Sequence, residues 1–585
     1  MGKKYQAVRK ALDRKGFKSI EAVEWRSSIV LTGTVKTWDE KINAGYAAAG
    51  RGYKAVVNDI EVPGAPADSM SVPALRDSFL EGRHFDAVII GGGITGAAIA
   101  RELSRYDISI ALFEKEEDMA KHASGRNDGM IHDGFAARAK TKKTIYNVRG
   151  NRLYSRVTKE LGVEFHRPGS MILFSSPLMR LAVPIMKARA KKNNVDGYCY
   201  LSRKKVAKME PWLVDKQYGA FFLPSAGVLS PYKMVIAYAE NAVQNGAEVI
   251  LSTVVTGFDM KEGSIERIRT NRGSCTARVV INAAGIWADT IAGYADDRFF
   301  SLHGRKGTDA IMDLKTGRYQ SHITAMPNLL KSDSKTKGGG LVMTPEGNIL
   351  VGPTAREVSY RENYATDPGD INELMHHIEL NRKLDRSQII TYFAGIRACT
   401  YEEDFIVEAS EHVDNLVHAA GIQSPGLASA PAIAEDIVKI SLGILGKKMT
   451  VNEKKNYNPI RKGIPVLKNM PLDERDLFIR RNPAYGRIVC RCEEISEGEI
   501  RDAMRSPIPV ATMDGLKRRV RVSAGRCHGG FCTPRVLEIM AEELDVDITG
   551  ITKKGPGSPF FFGHTKEERE YRGRTVKTII GGGQA

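Results

Sequence analysis

One continuous run predicts the architecture of this chain most directly: Phe85-Asp-Ala-Val-Ile-Ile-Gly-Gly-Gly-Ile-Thr-Gly-Ala-Ala-Ile-Ala-Arg-Glu-Leu103. Its first residues, 85–90, form a short apolar stretch typical of a buried strand, and the alanine-rich end is typical of a helix packed closely on a sheet. Between them, Gly91, Gly93 and Gly96 form Gly-x-Gly-x-x-Gly. Such glycines let the backbone turn sharply and approach a pyrophosphate at the positive end of the helix. The run therefore predicts a dinucleotide-binding βαβ unit.

A second apolar run, 108–113, ends at Glu114, about 20 residues beyond the glycines. A carboxylate at this point can accept hydrogen bonds from an adenosine ribose and disfavours a ribose 2′-phosphate. We therefore expect FAD or NAD, and not NADP. The alternative interpretation, a mere tight turn, is less well supported because strand, glycines, helix, second strand and acidic end occur in this order. The cofactor contacts predicted here are Gly91, Gly93, Ile94, Thr95, Gly96, Glu114 and Lys115.

Length and composition narrow the class of protein. The chain has 585 residues, which predicts three or four domains, and its 42% hydrophobic and 26% charged residues are typical of a soluble globular protein. No apolar run is long enough for a transmembrane span, and the N-terminus does not resemble a signal peptide, so a cytoplasmic location is expected.

Four of the seven cysteines lie after residue 485. This crowding favours a metal site in a reducing compartment over a disulfide framework.

The net charge of +17 is compatible with nucleic acid, an anionic membrane, or acidic small molecules and partner proteins. Lysines and arginines are dispersed along the chain, and no basic motif interleaved with aromatic residues is present. We therefore expect no nucleic-acid partner. Peripheral contact with a membrane stays open.

The first part of the chain, 1–64, is predicted to be a small α+β module. The α+β class follows from four predicted elements, namely a helix over 5–16, a hairpin over 21–36, a helix over 38–50 and a strand over 53–62. The segments 29–41 and 57–62 resemble the BON domain. That resemblance implies docking to membranes or partners, or assembly into an oligomer or complex. Residues 65–84, rich in Pro, Ala and Ser, are predicted to be a linker.

The middle part, 85–450, carries three further motifs: Ala123-Ser-Gly-Arg-Asn-Asp-Gly-Met-Ile-His-Asp-Gly-Phe135, Val279-Val-Ile-Asn-Ala-Ala-Gly-Ile-Trp-Ala-Asp289 and Ala420-Gly-Ile-Gln-Ser-Pro-Gly-Leu-Ala-Ser-Ala430. With the glycine loop they resemble the D-amino-acid-oxidase superfamily of FAD enzymes. The likeness is greatest to glycerol-3-phosphate dehydrogenase and L-2-hydroxyglutarate dehydrogenase. It implies an α/β Rossmann-like FAD-binding domain with an interleaved α+β substrate domain.

The same resemblance implies a set of flavin contacts. Small or hydrogen-bonding residues suit a close approach to the cofactor, and the dipole of a helix after 421–427 can stabilise negative charge on a reduced flavin. For each glycine taken singly, an ordinary turn is an equally good interpretation. The implied contacts are Ser124, Gly125, Asn127, Gly129, Val255, Ala284, Gly285, Gly421, Ile422, Gly426 and Leu427.

Three residues are candidates for the chemistry. His132 is the predicted base, Arg397 is the predicted clamp for an anionic substrate group, and Lys306 is a basic residue that the resemblance places beside the flavin. A structural role is the alternative for His132 and Arg397. The residues after His132 lack the Arg-Tyr of glycerol-3-phosphate dehydrogenases and the Tyr-Tyr of hydroxyglutarate enzymes, so the substrate stays open.

After a second predicted linker, 451–484, the segment 485–563 contains a Cys-x-Cys pair and a Cys-x-x-x-x-Cys pair: Cys490, Cys492, Cys527 and Cys532. Four thiolates suit a [2Fe–2S] cluster or zinc, and the spacing resembles the [2Fe–2S] domain of bacterioferritin-associated ferredoxin. Helices are expected to begin near Ser496 and Pro534, and Arg491 and Arg526 are expected to offset cluster charge. Mainly helical structure is predicted, followed by a tail, 564–585.

A flavin, a substrate site and a cluster in one chain imply electron flow out of the protein. We therefore predict an FAD-dependent dehydrogenase, not an oxidase, that oxidises a small anionic alcohol and delivers electrons to a partner protein or subunit. Two alternatives stay open. One is an amine or imino-acid dehydrogenase of the same superfamily. The other is a non-catalytic electron-transfer or scaffold subunit.

Overall fold

The computed structural model of the chain describes residues 2–66, 69–326 and 339–564. The predicted tail after 564 lies outside the described residues. In the N-terminal module the expected order of helix, two strands, helix and strand is present: α1 (Lys3–Arg14), β1 (Glu21–Trp25), β2 (Ser28–Thr32), α2 (Trp38–Ala48) and β3 (Val56–Asn58). The strand predicted over 53–62 is shorter than expected. Strand β2 lies between antiparallel β1 and parallel β3.

The middle part alternates between two sheets along the chain. Its elements in chain order are β4 (Arg83–Ile90), α3 (Ile94–Leu103), β5 (Ile110–Phe113), β6 (Met130–Ile131), α4 (Lys142–Leu161), β7 (Phe165–His166), β8 (Ser170–Leu173), α5 (Val183–Lys192), β9 (Cys199–Leu201), α6 (Arg203–Met209), β10 (Ala220–Leu223), β11 (Gly227–Leu229), α7 (Pro231–Gln244), β12 (Glu248–Ile250), β13 (Val255–Lys261), β14 (Ser264–Thr270), β15 (Gly273–Asn282), α8 (Ala288–Tyr294), β16 (Leu302–Met312), β17 (Ile323–Ala325), β18 (Gly340–Met343), β19 (Ile349–Gly352), β20 (Arg356–Val358), α9 (Pro368–Ile378), β21 (Ile389–Thr400), β22 (Ile406–Ala409), β23 (Leu416–Ala420) and α10 (Gly426–Leu445).

The first sheet, here called the cofactor sheet, has the order β12-β5-β4-β15-β14-β13, with β23 beside β15 and β22 beside β23. Strands β12, β5, β4, β15 and β23 are parallel to one another, whereas β14 and β22 are antiparallel to β15 and β23. Helices α3, α7 and α10 pack their alanine-rich and branched side chains in one buried cluster with this sheet. The carboxyl ends of the parallel strands therefore meet at one edge, which is where open α/β sheets bind ligands.

The second sheet, here called the substrate sheet, has the order β20-β16-β19-β18-β17-β8-β10-β9, and β21 pairs with β16. Its longest ladder is antiparallel β16 with β21, running from Leu302 opposite Thr400 to Met312 opposite Ile389. A small third sheet joins β6, β11 and β7. This arrangement agrees with an α+β substrate part interleaved with the cofactor-binding part.

Helix α11 (Leu472–Arg481) lies within the predicted linker, 451–484, and buries none of its residues. The C-terminal part that follows is mainly helical, with β24 (Ile488–Cys490), β25 (Ile495–Ser496), α12 (Glu497–Met504), α13 (Met513–Val520) and α14 (Thr533–Leu544) around a core of its own. Helices α12 and α14 begin where expected, after Ser496 and Cys532. Among the described helices, none combines the length and apolar composition that a transmembrane span needs.

Buried ion pairs attach the C-terminal part to the cofactor sheet. The Asp118 carboxylate, in the loop that follows β5, contacts Arg518 at 2.5 Å and Arg519 at 3.0 Å. Burial raises the pKa of this carboxyl, but the guanidinium groups of Arg519 and Arg518 outweigh it and lower the pKa below its ordinary value. Arg521 adds a hydrogen bond of 3.0 Å to Asn348, after β18.

We predict that Asp118→Asn loosens the docking of the C-terminal part. Removing one partner of a buried ion pair commonly costs about 3–5 kcal/mol. Because the folded pKa of Asp118 lies below the unfolded value, the stabilisation is present at neutral pH and is lost as the pH falls below about 4. Limited proteolysis between 446 and 487 measures the docking. Asp514→Asn, which removes a more exposed pair with Lys553, is the control. Equal proteolysis rates for wild type and Asp118→Asn at pH 7 would contradict this assignment.

Candidate cofactor and active site

The glycine loop between β4 and α3 needs residues without side chains. Gly91 has φ of +111°, and a methyl group there would lie 2.4 Å from the Ala283 carbonyl oxygen. A methyl group on Gly96 would lie 2.0 Å from the Gly91 carbonyl oxygen. Helix α3 has no side-chain cap at Gly93, and the N–H of Ile94 donates to Ser124 Oγ at 2.9 Å. The first turn of α3 is thus pressed onto the sheet, as a pyrophosphate site requires.

Glu114 closes the same edge at the end of β5. Its carboxylate accepts hydrogen bonds from the N–H groups of Gly92 at 2.8 Å and Glu116 at 2.9 Å. Burial raises the pKa of the Glu114 carboxyl. The neighbouring Lys115 ammonium contacts carboxylates of Glu116 at 2.8 Å and Glu362 at 2.7 Å. The side chain of Lys115 is therefore held in an ion-pair network, and its contact with a cofactor stays a prediction.

The loop over 123–129 folds against the glycine loop. The Asn127 amide donates to the carbonyl oxygens of Ala123 at 3.0 Å and Ser124 at 2.9 Å, and its Oδ1 accepts from Gly129 N–H at 3.0 Å. Asn127 thus fixes the shape of the loop, while Ser124 joins it to α3. We call residues 123–129 the flavin loop.

The other predicted cofactor contacts follow strands of the cofactor sheet. Ala284 and Gly285 come directly after β15, and Gly421 comes directly after the neighbouring β23. Val255 begins β13, two residues after Thr253, whose N–H donates to the Glu114 carbonyl oxygen at 2.8 Å. Of the other predicted contact residues, Gly421 and Ile422 precede α10, and Gly426 and Leu427 are its first two residues. The N-terminus of α10 has no side-chain cap. The fold thus brings these separate motifs to one edge.

The substrate sheet presents one face of β16 and β21 to the flavin loop. Arg305 lies opposite Arg397 in the ladder, so their side chains and that of Gly307 share a face. A methyl group on Gly307 would lie 2.6 Å from the Arg397 guanidinium, and one on Gly395 would lie 2.1 Å from the Arg126 carbonyl oxygen. Arg397 is therefore placed between β16 and the flavin loop.

The Arg397 guanidinium has weak partners in the protein. Its nitrogens lie 3.3 and 3.4 Å from the Thr354 carbonyl oxygen. Within the described ranges, no carboxylate lies within salt-bridge distance of it. The half-buried guanidinium can therefore bind an anionic group of a ligand.

Lys306, predicted to lie beside the flavin, belongs to the same strand as Arg305. It follows Arg305 in β16, so its side chain points to the opposite face of the strand. The buried ammonium pairs with Asp367, contacts Asp370 at 3.3 Å and donates to the Ala365 carbonyl oxygen at 3.0 Å. The structure does not bring Lys306 and Arg397 together on one face. A role for Lys306 in the chemistry stays a prediction.

His132 follows β6, and its backbone is anchored to α4. Its carbonyl oxygen accepts hydrogen bonds from the side-chain amides of Asn147 at 2.6 Å and Asn151 at 3.0 Å. The residue is half-buried, three residues beyond the flavin loop. Its role as a base also stays a prediction.

Asp309 is a residue that our sequence analysis missed. It lies two residues beyond Gly307 on the Arg397 face of β16 and is 1% exposed. Its Oδ1 has no hydrogen-bond partner among the described residues. Burial and the nearby Asp128 raise the pKa of the Asp309 carboxyl well above its ordinary value, while Arg397 opposes that shift. The alternation of side chains along the strand that contains the basic motif could have indicated it.

The four cysteines of the C-terminal part converge. The sulfur of Cys492 lies 3.9 Å from that of Cys490 and 3.7 Å from that of Cys527. A hydrogen bond from Cys490 lowers the pKa of the Cys532 thiol to about 6, against the effect of burial. Four free thiols, one of them easily ionised, fit a metal group with four thiolate ligands.

The two arginines expected near this group differ in their contacts. Arg526 forms an ion pair of 2.8 Å with Asp313, after β16, and so also contributes to domain docking. Arg491 lies over the exposed ring of Phe531, 4.5 Å from its centroid. Among the described residues, Arg491 forms no ion pair, whereas Arg526 does.

Comparisons with known proteins agree with both sites. A family model described as FAD dependent oxidoreductase matches residues 86–440, and one described as BFD-like [2Fe-2S] binding domain matches 488–542. These models do not include the N-terminal module, so its BON-like character stays a prediction. The second match confirms the expected [2Fe–2S] cluster over the zinc alternative.

Two curated relatives and one solved structure are informative. A glycerol 3-phosphate dehydrogenase of Caloramator mitchellensis is 36% identical over 83% of this chain and 99% of its own length. One subunit of the anaerobic glycerol-3-phosphate dehydrogenase of Escherichia coli is 24% identical over 83% of this chain and 95% of its own. The FAD-bound L-alpha-glycerophosphate oxidase from Mycoplasma pneumoniae has a TM-score of 0.60 at 24% identity, over 65% of this chain and 98% of that one. Taken with the geometry of the two sites, these matches show that the chain belongs to the FAD-dependent oxidoreductase family and carries a [2Fe–2S] domain after its flavin-binding part.

Proposed function

We propose that this FAD-dependent dehydrogenase oxidises glycerol 3-phosphate and delivers the electrons through its cluster to a partner protein. One observation carries the choice of substrate class. Arg397 presents a half-buried guanidinium, without an acid partner among the described residues, on the face of β16 and β21 that meets the flavin loop. A planar fork of donors suits a phosphate group. The names of the relatives support the same substrate.

The roles of the chain's residues follow from this placement. Arg397 binds the phosphate and orients the substrate, while His132 takes up the proton of the hydroxyl group that is oxidised. FAD, when bound, supplies the acceptor for the hydride. The glycine loop, Glu114 and the flavin loop hold the cofactor at the edge of the sheet. The anchored carbonyl of His132 limits the freedom of the predicted base.

Asp309 gives a reason to favour a polyol phosphate over a dicarboxylate. A buried oxygen without a hydrogen-bond partner costs about 1–3 kcal/mol, and a substrate hydroxyl can remove this cost by donating to it. A second carboxylate on the substrate would instead be repelled by the Asp128 carboxylate near Asp309. We therefore propose that Asp309 accepts a hydrogen bond from the hydroxyl that is not oxidised.

The same acidic pair supports one second candidate, an amine or imino-acid dehydrogenase. An ammonium group would be attracted to the Asp128 carboxylate and could donate to Asp309 while Arg397 holds a carboxylate. Anaerobic mixing with glycerol 3-phosphate, L-2-hydroxyglutarate and proline, followed by flavin absorbance, separates these functions. We expect fast bleaching with glycerol 3-phosphate alone. Bleaching by proline alone would favour the second candidate, and none at all would favour a non-catalytic role.

The first prediction separates the two cofactor sites. Gly93→Val should lose FAD and keep the cluster, because a methyl group on Gly93 would already lie 3.0 Å from Ser124 Oγ and valine extends further. Cys490→Ser should lose the cluster and keep FAD, because its thiolate belongs to a core of its own. Flavin absorbance and the electron paramagnetic resonance of the reduced protein measure both. Joint loss in either variant would contradict the separation.

The second prediction concerns the substrate. Arg397→Lys keeps the charge but loses the planar fork, so kcat/KM for glycerol 3-phosphate should fall by about 30-fold or more, which is about 2 kcal/mol. His132→Ala should slow flavin reduction by about 100-fold to 10,000-fold with little change in substrate binding. Both variants should keep FAD. Wild-type flavin reduction in His132→Ala at saturating substrate would show that the histidine is structural.

The third prediction concerns Asp309. Asp309→Leu should weaken binding of glycerol 3-phosphate by about 3-fold to 10-fold, the value of a hydrogen bond between uncharged groups, yet leave binding of 2-hydroxypropyl phosphate unchanged. That analogue has no second hydroxyl and serves as the matched control. Because the variant removes a buried unpaired oxygen, its melting temperature without substrate should not fall. An equal loss of affinity for both ligands would contradict the assigned contact.

A further inference from the structure

A surface helix near the substrate sheet is apolar on two opposite sides. A 3₁₀ segment, Pro177–Ala182, runs directly into α5, Val183–Lys192, and we call 177–192 the surface helix. On its inner side, Met179, Val183 and Met186 pack against a core cluster that contains Phe135 and Phe221. An ordinary amphipathic helix would turn only polar residues outward.

The outer side instead carries three large aliphatic residues. Leu178, Leu181 and Ile185 are 74%, 77% and 72% exposed. Their spacing of three and four residues places them in one stripe. Exposed single leucines are common, but a stripe of three side chains this exposed indicates a surface that binds something.

Polar contacts fix the position of the surface helix. Arg189 donates to the carbonyl oxygens of Phe135 at 3.0 Å and Ala136 at 2.6 Å, and the Asn193 amide donates to Gly134 at 3.0 Å. Together with the packed inner side, these bonds prevent the stripe from turning inward. The outer apolar stripe is therefore a permanent feature of the surface.

Charge identifies what the stripe binds. The surface helix contains five basic residues and no acidic one, namely Arg180, Lys187, Arg189, Lys191 and Lys192. Two copies of such a surface would repel each other. Protein interfaces are usually poor in lysine and rich in aromatic residues, whereas the surface helix has three lysines and no aromatic residue, and Lys192, seven residues after Ile185, lies in line with the stripe.

We propose that the outer side of the surface helix docks the protein on an anionic phospholipid bilayer. Leu178, Leu181 and Ile185 enter the boundary between headgroups and acyl chains, and the flanking lysines and arginines meet the phosphate groups. The attachment is peripheral, and it does not depend on which substrate the enzyme oxidises.

The test uses the full-length protein with FAD and cluster bound. Flotation with phosphatidylcholine vesicles, with or without one third phosphatidylglycerol, measures partitioning. We expect at least tenfold stronger binding to the anionic vesicles, falling at high salt. Leu181→Ser with Ile185→Ser should reduce it at least tenfold, as should Lys191→Glu with Lys192→Glu.

Two matched control variants distinguish binding by the surface helix from non-specific binding by any exposed leucine or lysine. Leu472→Ser with Leu477→Ser changes leucines of α11 that are 79% and 54% exposed, and Lys3→Glu with Lys10→Glu makes the same charge change on α1. Both should bind within about twofold of wild type. Unchanged flavin absorbance shows that each variant is folded.

Three outcomes would overturn the proposal. If the wild-type protein floats with neither type of vesicle, the surface helix does not bind bilayers. A Leu181→Ser, Ile185→Ser variant that floats like wild type places the contact elsewhere. If wild type is dimeric by light scattering and this variant is monomeric, the stripe is an interface between two copies.

Discussion

The close contact between α3 and β4 is the constraint on which the cofactor edge depends. Because Gly96 has no side chain, the first turn of α3 can lie directly on the carbonyl of Gly91, with no side-chain cap at its N-terminus. Glu114, Gly285 and Gly421 reach the same edge only because β5, β15 and β23 run parallel to β4 or to its neighbour. A displaced helix would separate the phosphate site from all of them.

The loop after β5 contacts both the predicted cofactor edge and the C-terminal part. It carries Glu114 at its start, and four residues later Asp118 holds Arg518 and Arg519 of the C-terminal part. One short segment therefore contacts both the predicted ribose site and the domain that carries the cluster. A second connection runs through the substrate sheet, because Asn348 binds Arg521 and Asp313 binds Arg526. The position of the cluster is thus tied to both parts of the flavin domain.

The N-terminal module is packed against β16, the strand that also carries Asp309. The Tyr46 hydroxyl donates to Glu403 at 2.7 Å and accepts from Arg305 at 2.6 Å, and Arg305 also contacts Glu357 at 2.8 Å. These charges lie at the end of the ladder between β16 and β21 that is remote from Asp309. The module therefore packs against the substrate sheet beside the predicted site, because Arg305, which Tyr46 contacts, lies directly opposite Arg397 in the ladder.

What the sequence determined by itself was local in character. The glycine loop, Glu114 and the Cys-x-Cys and Cys-x-x-x-x-Cys pairs could be interpreted because their chemistry depends on residue types at short, fixed spacing. Tertiary structure decided the rest. The register of β16 with β21 puts Arg397 and Asp309 on one face and Lys306 on the other, and the partner of Asp118 lies in another domain. Such relations depend on strand pairing and domain packing between distant segments, which no short pattern of residues encodes.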